Sequence, residues 1–168
     1  MSCILIDGYN LIGIAHRDFE QARSNLISRL CEYTTLKHHD ITLVFDGWKD
    51  GQLNETSMQK GRVTVVFSRL GEKADHVIKR ILSKDKKPWI VVSSDREIAD
   101  FARSNGFVSF TSSEFEKKLY SAGSITEKDE DKAVRDEEEN ETGAVRRKGN
   151  PYKLSKKQKQ KLLAIKKL

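Results

Sequence analysis

The chain has 168 residues, 37% of them hydrophobic and 33% charged, with a formal net charge of +6; that is enough for one ordinary domain and a tail. Two cysteines (Cys3, Cys31) give no disulfide framework, and the four histidines have no paired zinc-ligand spacing. No run is long or apolar enough for a signal peptide or a membrane span, so a cytoplasmic protein without membrane partners is expected.

The charge is segregated. Residues 127–141 hold nine acids against three bases, residues 146–168 hold ten Lys/Arg and no acid, and residues 1–126 carry only +2. Blocks of one sign are solvated interaction segments, and a basic block favours polyanions. The expected organisation is a domain over residues 1–122, an acidic disordered linker over 123–145 and a basic tail over 146–168.

In chain order, strands alternate with helices. Residues 3–6 are a short apolar run without alternation, as in a parallel strand covered on both faces. Residues 18–36 predict a helix, with Phe19, Ala22, Leu26, Ile27, Leu30 and Tyr33 at helical spacing. Residues 41–45 predict the second strand. Gly47, Gly51 and Asn54 mark a loop, and a polar stretch ends at Gly61 before the third strand, 62–67. Residues 72–82 predict a helix with an Ala74, Val77, Ile78, Ile81, Leu82 stripe. Pro88 opens the fourth strand, where its missing N–H is tolerated. Ser94 and Glu97 have the spacing of a capping box for the next helix, which ends near Gly106. Residues 107–110 predict a fifth strand, and Ser113 with Glu116 a second capping box for a closing helix. The pattern implies a three-layer α/β/α sandwich around a mainly parallel five-stranded sheet, followed by a flexible charged C-terminal tail. Residues 155–168 predict a basic helix whose Leu162, Ile165, Leu168 stripe is too small to fold without a partner.

Asp7, Asp46 and Asp95 each follow a predicted strand, and Asp75 lies at the start of the helix after the third. Parallel strands would bring these acids to one carboxyl edge, where open α/β sheets bind ligands. A like-charged pair at ~4 Å costs about 4 kcal/mol at an effective dielectric of 20. A hard divalent cation relieves that repulsion, and Mg²⁺ prefers oxygen ligands. The expected metal set is therefore Asp7, Asp46, Asp75 and Asp95. Gly8 lets the chain turn close to a ligand, and Asn10 can hold a metal-bound water or a phosphate oxygen. No G-x-G-x-x-G follows the first strand, and no Walker loop is present, which argues against a dinucleotide or P-loop enzyme.

Ile4-Leu5-Ile6-Asp7-Gly8-Tyr9-Asn10, Val44-Phe45-Asp46-Gly47, Glu72-Lys73-Ala74-Asp75 and Ser93-Ser94-Asp95-Arg96-Glu97-Ile98 occur in that order. Together they resemble the NYN branch of the PIN-like nucleases, in particular the bacterial group that includes a ribosome-associated endoribonuclease. The resemblance spans roughly residues 2–121. It implies a PIN-like fold, metal-dependent endoribonuclease activity with Mg²⁺ or Mn²⁺, and RNA as partner, with the ribosome as a further candidate. Carried over, Asp7, Asn10, Asp75 and Asp95 match catalytic positions, and Asp46 matches a second-strand aspartate near the metal.

Several residues keep two readings. Glu97 fits a cap or a metal contact; Ser94 fits a cap or a phosphate contact. Trp48 fits base stacking or partial core burial. Lys60, Arg62, Arg69, Lys73 and Arg96 fit a basic rim for an RNA backbone or scattered surface charge. The expected substrate contacts are Asn10, Ser94, Arg96 and Trp48. The tail fits a general RNA anchor or a segment that folds on a ribosomal surface. A noncatalytic RNA- or ribosome-binding module and a small-ester phosphatase are the rival functions.

Overall fold

The computed structural model describes residues 1–13, 18–47, 53–85, 87–123 and 156–167. Trp48, the acidic stretch beyond residue 123 and the tail up to residue 155 lie outside the described residues, and so do the expectations placed on them. The elements are β1 (Cys3–Asp7), α1 (Gly8–Ile12), α2 (Phe19–Lys37), β2 (Asp40–Phe45), β3 (Thr56–Lys60), β4 (Val63–Phe67), α3 (Ala74–Lys84), β5 (Trp89–Val92), α4 (Arg96–Ser104), β6 (Val108–Phe110), α5 (Ser112–Gly123) and α6 (Lys156–Lys167). Among these helices none is long and apolar enough to cross a membrane.

The sheet has the order β3-β4-β2-β1-β5-β6, and every pairing is parallel except β3 with β4. Side-chain alternation sends each strand's residues to two separate cores. Ile4, Ile6, Leu43, Val65 and Val92 pack with Leu30 and Tyr33 of α2 and Phe115 of α5. Leu5, Val44, Val66 and Val91 pack with Val77 and Ile78 of α3 and Ile98 of α4. Both faces are covered, which explains why β1, β2, β4 and β5 read as continuous apolar runs.

The sheet has six strands rather than the five expected. β3, Thr56-Ser57-Met58-Gln59-Lys60, is almost wholly exposed, so it lacks the apolar alternation that marks a half-buried strand. Its partner signal is Gly61, which takes φ +60° between paired Lys60 and Val63, as a glycine-first hairpin turn requires. α2 starts one residue late, with Asp18 accepting the Gln21 N–H at 3.0 Å. α5 is capped by Thr111 instead of Ser113. Thr111 Oγ1 accepts the Glu114 N–H at 3.2 Å, and Glu114 Oε2 accepts the Thr111 N–H at 2.9 Å; this is the reciprocal capping box two positions early.

The basic tail helix finds its partner within the chain. α6 packs against β6. Ala164 is buried in the α2-side core, and Lys161 Nζ lies 2.6 Å from Glu114 Oε1 and 5.4 Å from the Phe110 ring centroid. Leu162 and Leu163 remain exposed.

Candidate active site

β1 continues through α2 to β2 on one side, whereas β5 continues through α4 to β6 on the other. The crevice between the carboxyl ends of β1 and β5 is therefore the topological switch point, where such sheets bind ligands. Asp7 ends β1 there, and Ser93-Ser94-Asp95 leave β5 beside it.

Asp7 is only 7% exposed. It caps the single-turn helix α1, accepting the Asn10 N–H at 3.2 Å on Oδ1, and Ser93 Oγ donates to Oδ2 at 3.4 Å. Gly8 follows because a Cβ there would fall 2.3 Å from the Phe45 ring. Burial is the largest influence on the Asp7 carboxyl, and the nearby charges of Asp75 and Asp46 add to it. Against the opposing Asn10 and Ser93 bonds, its pKa rises from 3.8 to about 6. At neutral pH the group is mostly ionised, yet poised to gain from a neighbouring cation.

The other acids face the same place. Asp46, just past β2, accepts the first N–H of α3, that of Ala74. Asp95 caps α4, accepting the Glu97 N–H at 2.6 Å and the Ile98 N–H at 3.4 Å on one oxygen. Asp75 lies in the first turn of α3. Its pKa is raised chiefly by burial, then by the charges of Asp95 and Asp46, with Lys79 opposing and Glu97 adding a little. Mutual repulsion thus links Asp7, Asp46, Asp75 and Asp95 into one electrostatic cluster. Three helix N-termini, those of α1, α3 and α4, point their partial positive charge toward it, which eases that repulsion.

Two expectations about α4 are corrected. Asp95, not Ser94, is the N-cap, so Glu97 completes no capping box. Glu97 instead pairs with Lys79 and is 73% exposed at its side chain.

Ser94 joins a network that holds Asn10. The Ser94 N–H donates to Asn10 Oδ1 at 3.0 Å, and Ser112 Oγ donates to the same oxygen at 2.9 Å. The Ser112 N–H donates to Ser94 Oγ at 3.0 Å. With its carbonyl oxygen engaged twice, Asn10 is left to offer its NH₂ as a donor. Sequence reading missed Ser112 because it lies 102 residues from Asn10. The available signal was its place directly after the carboxyl end of β6.

The proposed basic rim divides. Lys60 ends β3 and Arg62 lies in the β3–β4 turn, at the opposite edge of the sheet, where Arg62 Nη1 meets Asp40 Oδ1 at 2.9 Å. Arg69, Lys73 and Arg96 lie near the acid cluster and are exposed, with Arg69 3.3 Å from Glu72.

Among the described residues no three His, Cys, Asp or Glu side chains stand close enough to hold a metal ion by themselves. The donor chemistry fits a different mode. Mg²⁺ commonly takes one or two carboxylates and completes its shell with water and substrate phosphate, and the sheltered carboxylates of Asp7 and Asp75, both with raised pKa, suit that role.

The family model described as the YacP-like NYN domain matches residues 4–167. A Bacillus subtilis (strain 168) relative, named only as uncharacterized protein YacP, is 33% identical over 88 residues. That alignment covers 48% of this chain and 51% of the relative, so the chain matches about half of that protein's length. The crystal structure of Rae1 (YacP) from Bacillus subtilis is 25% identical, with a TM-score of 0.60, over 73% of this chain and 76% of that one. A crystal structure of a mutant form of the same Bacillus subtilis protein is 24% identical with the same TM-score, over 73% and 77%. The switch-point acids, the DGYN turn and a match running nearly end to end agree: this chain belongs to the YacP-like NYN domain family.

Proposed function

We propose that the chain is an endoribonuclease that hydrolyses RNA phosphodiester bonds with the help of a divalent cation. The observation that carries this reading is the electrostatic cluster of Asp7, Asp46, Asp75 and Asp95 at the β1–β5 switch point of a YacP-like NYN chain. Asp7 and Asp75, with Asp46 and Asp95 through water, would hold Mg²⁺ or Mn²⁺, which supplies Lewis acidity and a nucleophilic water when bound.

The chain's own groups set up the reaction. Ser93 and the Asn10 N–H fix the two Asp7 oxygens in place. Ser94 and Ser112 fix Asn10 so that its amide can donate to a phosphate oxygen. Arg96 and Lys73, both exposed beside the acids, attract the RNA backbone. The ten bases of residues 146–168 also suit a polyanion such as RNA, with ribosomal RNA as the candidate context.

A second reading has specific support. Asp7, Asp46 and Asp95 each hold helix N–H groups, which a noncatalytic RNA-binding module would also need. One experiment separates the two. Short single-stranded RNA is incubated with wild type, Asp7→Asn and Asp75→Asn, each with Mg²⁺, Mn²⁺ or EDTA. Cation-dependent cleavage lost in both variants supports the nuclease. Binding without cleavage under every cation assigns the module.

A further inference from the structure

Beyond Asp46, away from the switch point, the carboxyl edge carries a second concave feature. A cleft of about 340 Å³ opens between Arg23 of α2 and β3, lined also by Gly47, Phe67 and Ser68. Its size is at the small end of ligand clefts. It suits one planar group rather than a helix or an extended peptide.

The lining chemistry is specific. The Arg23 guanidinium carbon lies 5.5 Å from the Phe67 ring centroid. Phe67 stacks on Phe45, with centroids 5.7 Å apart and planes 22° from parallel. Thr56 pairs with Phe67 and Met58 with Val65 across the hairpin, so both side chains share the face that α2 covers. Met58 is 51% exposed there. Ser68 is occupied, accepting the Gly47 N–H at 2.9 Å and donating to the Glu72 carbonyl. Thr56 therefore brings the lining hydroxyl that a ligand can use, since Ser57 opposes Val66 and sends its side chain to the other face.

A flat cation on an aromatic ring, a polarizable thioether and a hydroxyl at the rim recognise a π-rich ring with polar edges. A phosphate would call for more cations and no apolar wall. A purely apolar ligand would have no use for Arg23. Unpaired RNA bases are held in this manner, stacked on aromatic or guanidinium planes with their edges hydrogen-bonded. The position agrees. β4 lies two strands from β1, so at ~4.8 Å per strand the end of β4 is about 10 Å from the end of β1.

We propose that this cleft binds one unpaired nucleobase of the RNA, that of a nucleotide neighbouring the phosphate at Asp7; the placement relative to the scissile bond rests on the nuclease reading. Base stacking is sequence-tolerant, so the site would set register more than sequence.

The test uses the full chain and a short single-stranded RNA carrying one abasic position, moved along the strand. Binding is measured in EDTA. For wild type, one abasic position should weaken binding roughly 5- to 150-fold, and others little. Arg23→Ala and Arg23→Lys should each weaken binding to intact RNA by a similar factor, because Lys keeps the charge and loses the plane. On the sensitive abasic RNA, either variant should add little further loss, since both changes remove one contact. Met58→Ala, at an exposed position, should give a smaller loss on intact RNA and little further loss on the sensitive abasic RNA. Full recovery with Arg23→Lys, or equal losses at every abasic position, would overturn the base site. The same RNAs with Mg²⁺ or Mn²⁺ separate the two readings. Cleavage without a sensitive position removes the base site and keeps the nuclease. A sensitive position without cleavage keeps the base site and removes the nuclease. No binding to any of these RNAs overturns the base site outright.

Discussion

Replacing Asp7 with Asn should stabilise the folded chain at neutral pH in the absence of divalent cations. Burial and the charges of Asp75 and Asp46 raise the Asp7 carboxyl from 3.8 to about 6, so the folded chain binds this proton more tightly than the unfolded one. Stability from this group is therefore highest below about pH 4. It falls as pH rises from about 4 to about 6, and stays reduced above. At 1.36 kcal/mol per pH unit, the ionised carboxylate costs about 3 kcal/mol. Asn removes that charge and keeps an acceptor for the Asn10 N–H, but loses the one facing Ser93 Oγ, which costs about 1 kcal/mol. The expected net gain at pH 7.5 is about 2 kcal/mol, or roughly 4–8 °C in Tm for a chain of this size. Urea unfolding at pH 4.5 and 7.5 in EDTA measures it. Wild type should lose more stability between the two values than the variant, which keeps only the smaller loss from Asp75 and the other acids. Parallel profiles, or a variant less stable at pH 7.5, would refute the electrostatic account. Mg²⁺ should then stabilise wild type more than Asp7→Asn, with a gain of about 2.7 kcal/mol at a hundred times Kd.

Asp95→Ala should cost about 1–2 kcal/mol in urea unfolding because it uncaps α4, whereas Asp95→Asn should keep most of that stability and still lose cleavage. Asp75→Asn should shift the Asp7 titration midpoint downward from about 6 in a carboxyl NMR titration, since it removes a neighbouring negative charge. Ser112→Ala should reduce cleavage in a folded protein, and combining it with Asn10→Ala should give less than the product of the two losses, because both act on one hydrogen-bonded unit. Deleting residues 145–168 should flatten the salt dependence of RNA binding by a log–log slope of about 3.5 if roughly five basic side chains engage. The same truncation should lower Tm, because Ala164 and Lys161 pack on the domain.

The layer architecture was legible because buried parallel strands are apolar on both faces, and β1, β2, β4 and β5 all are. β3 was not, since its sequence is that of a solvated edge, and its one clear mark was the glycine of the hairpin turn. Asp7, Asp46 and Asp95 were legible as positions after strand ends, and Asp75 as the start of the helix that follows the next strand. Their caps were harder to read. Ser94 has the S-x-x-E spacing, yet Asp95 takes the cap because its single carboxylate oxygen reaches two N–H groups. Ser113 and Glu116 have the same spacing, yet Thr111 and Glu114 form the box. Overlapping capping patterns one or two residues apart differ only in which backbone turn begins the helix, and tertiary packing decides that. Ser112 escaped because its partner is brought to it by the fold rather than by the chain.

The acids of this site are not set apart from the scaffold. Asp7, Asp46 and Asp95 each satisfy helix N–H groups that would otherwise be orphaned, so the same carboxylates that repel one another also begin three helices. This arrangement supplies its own partial compensation: each capped N-terminus brings positive potential to the place where negative charge collects. Asp75 differs. Among the described residues no hydrogen bond engages its carboxylate, although it lies in the first turn of α3 and feels Asp95, Asp46 and Glu97. The fold can account for three of the four acids by capping alone. The fourth caps nothing, and under the proposed function it would face the cation, which makes Asp75 the residue whose loss separates chemistry from architecture.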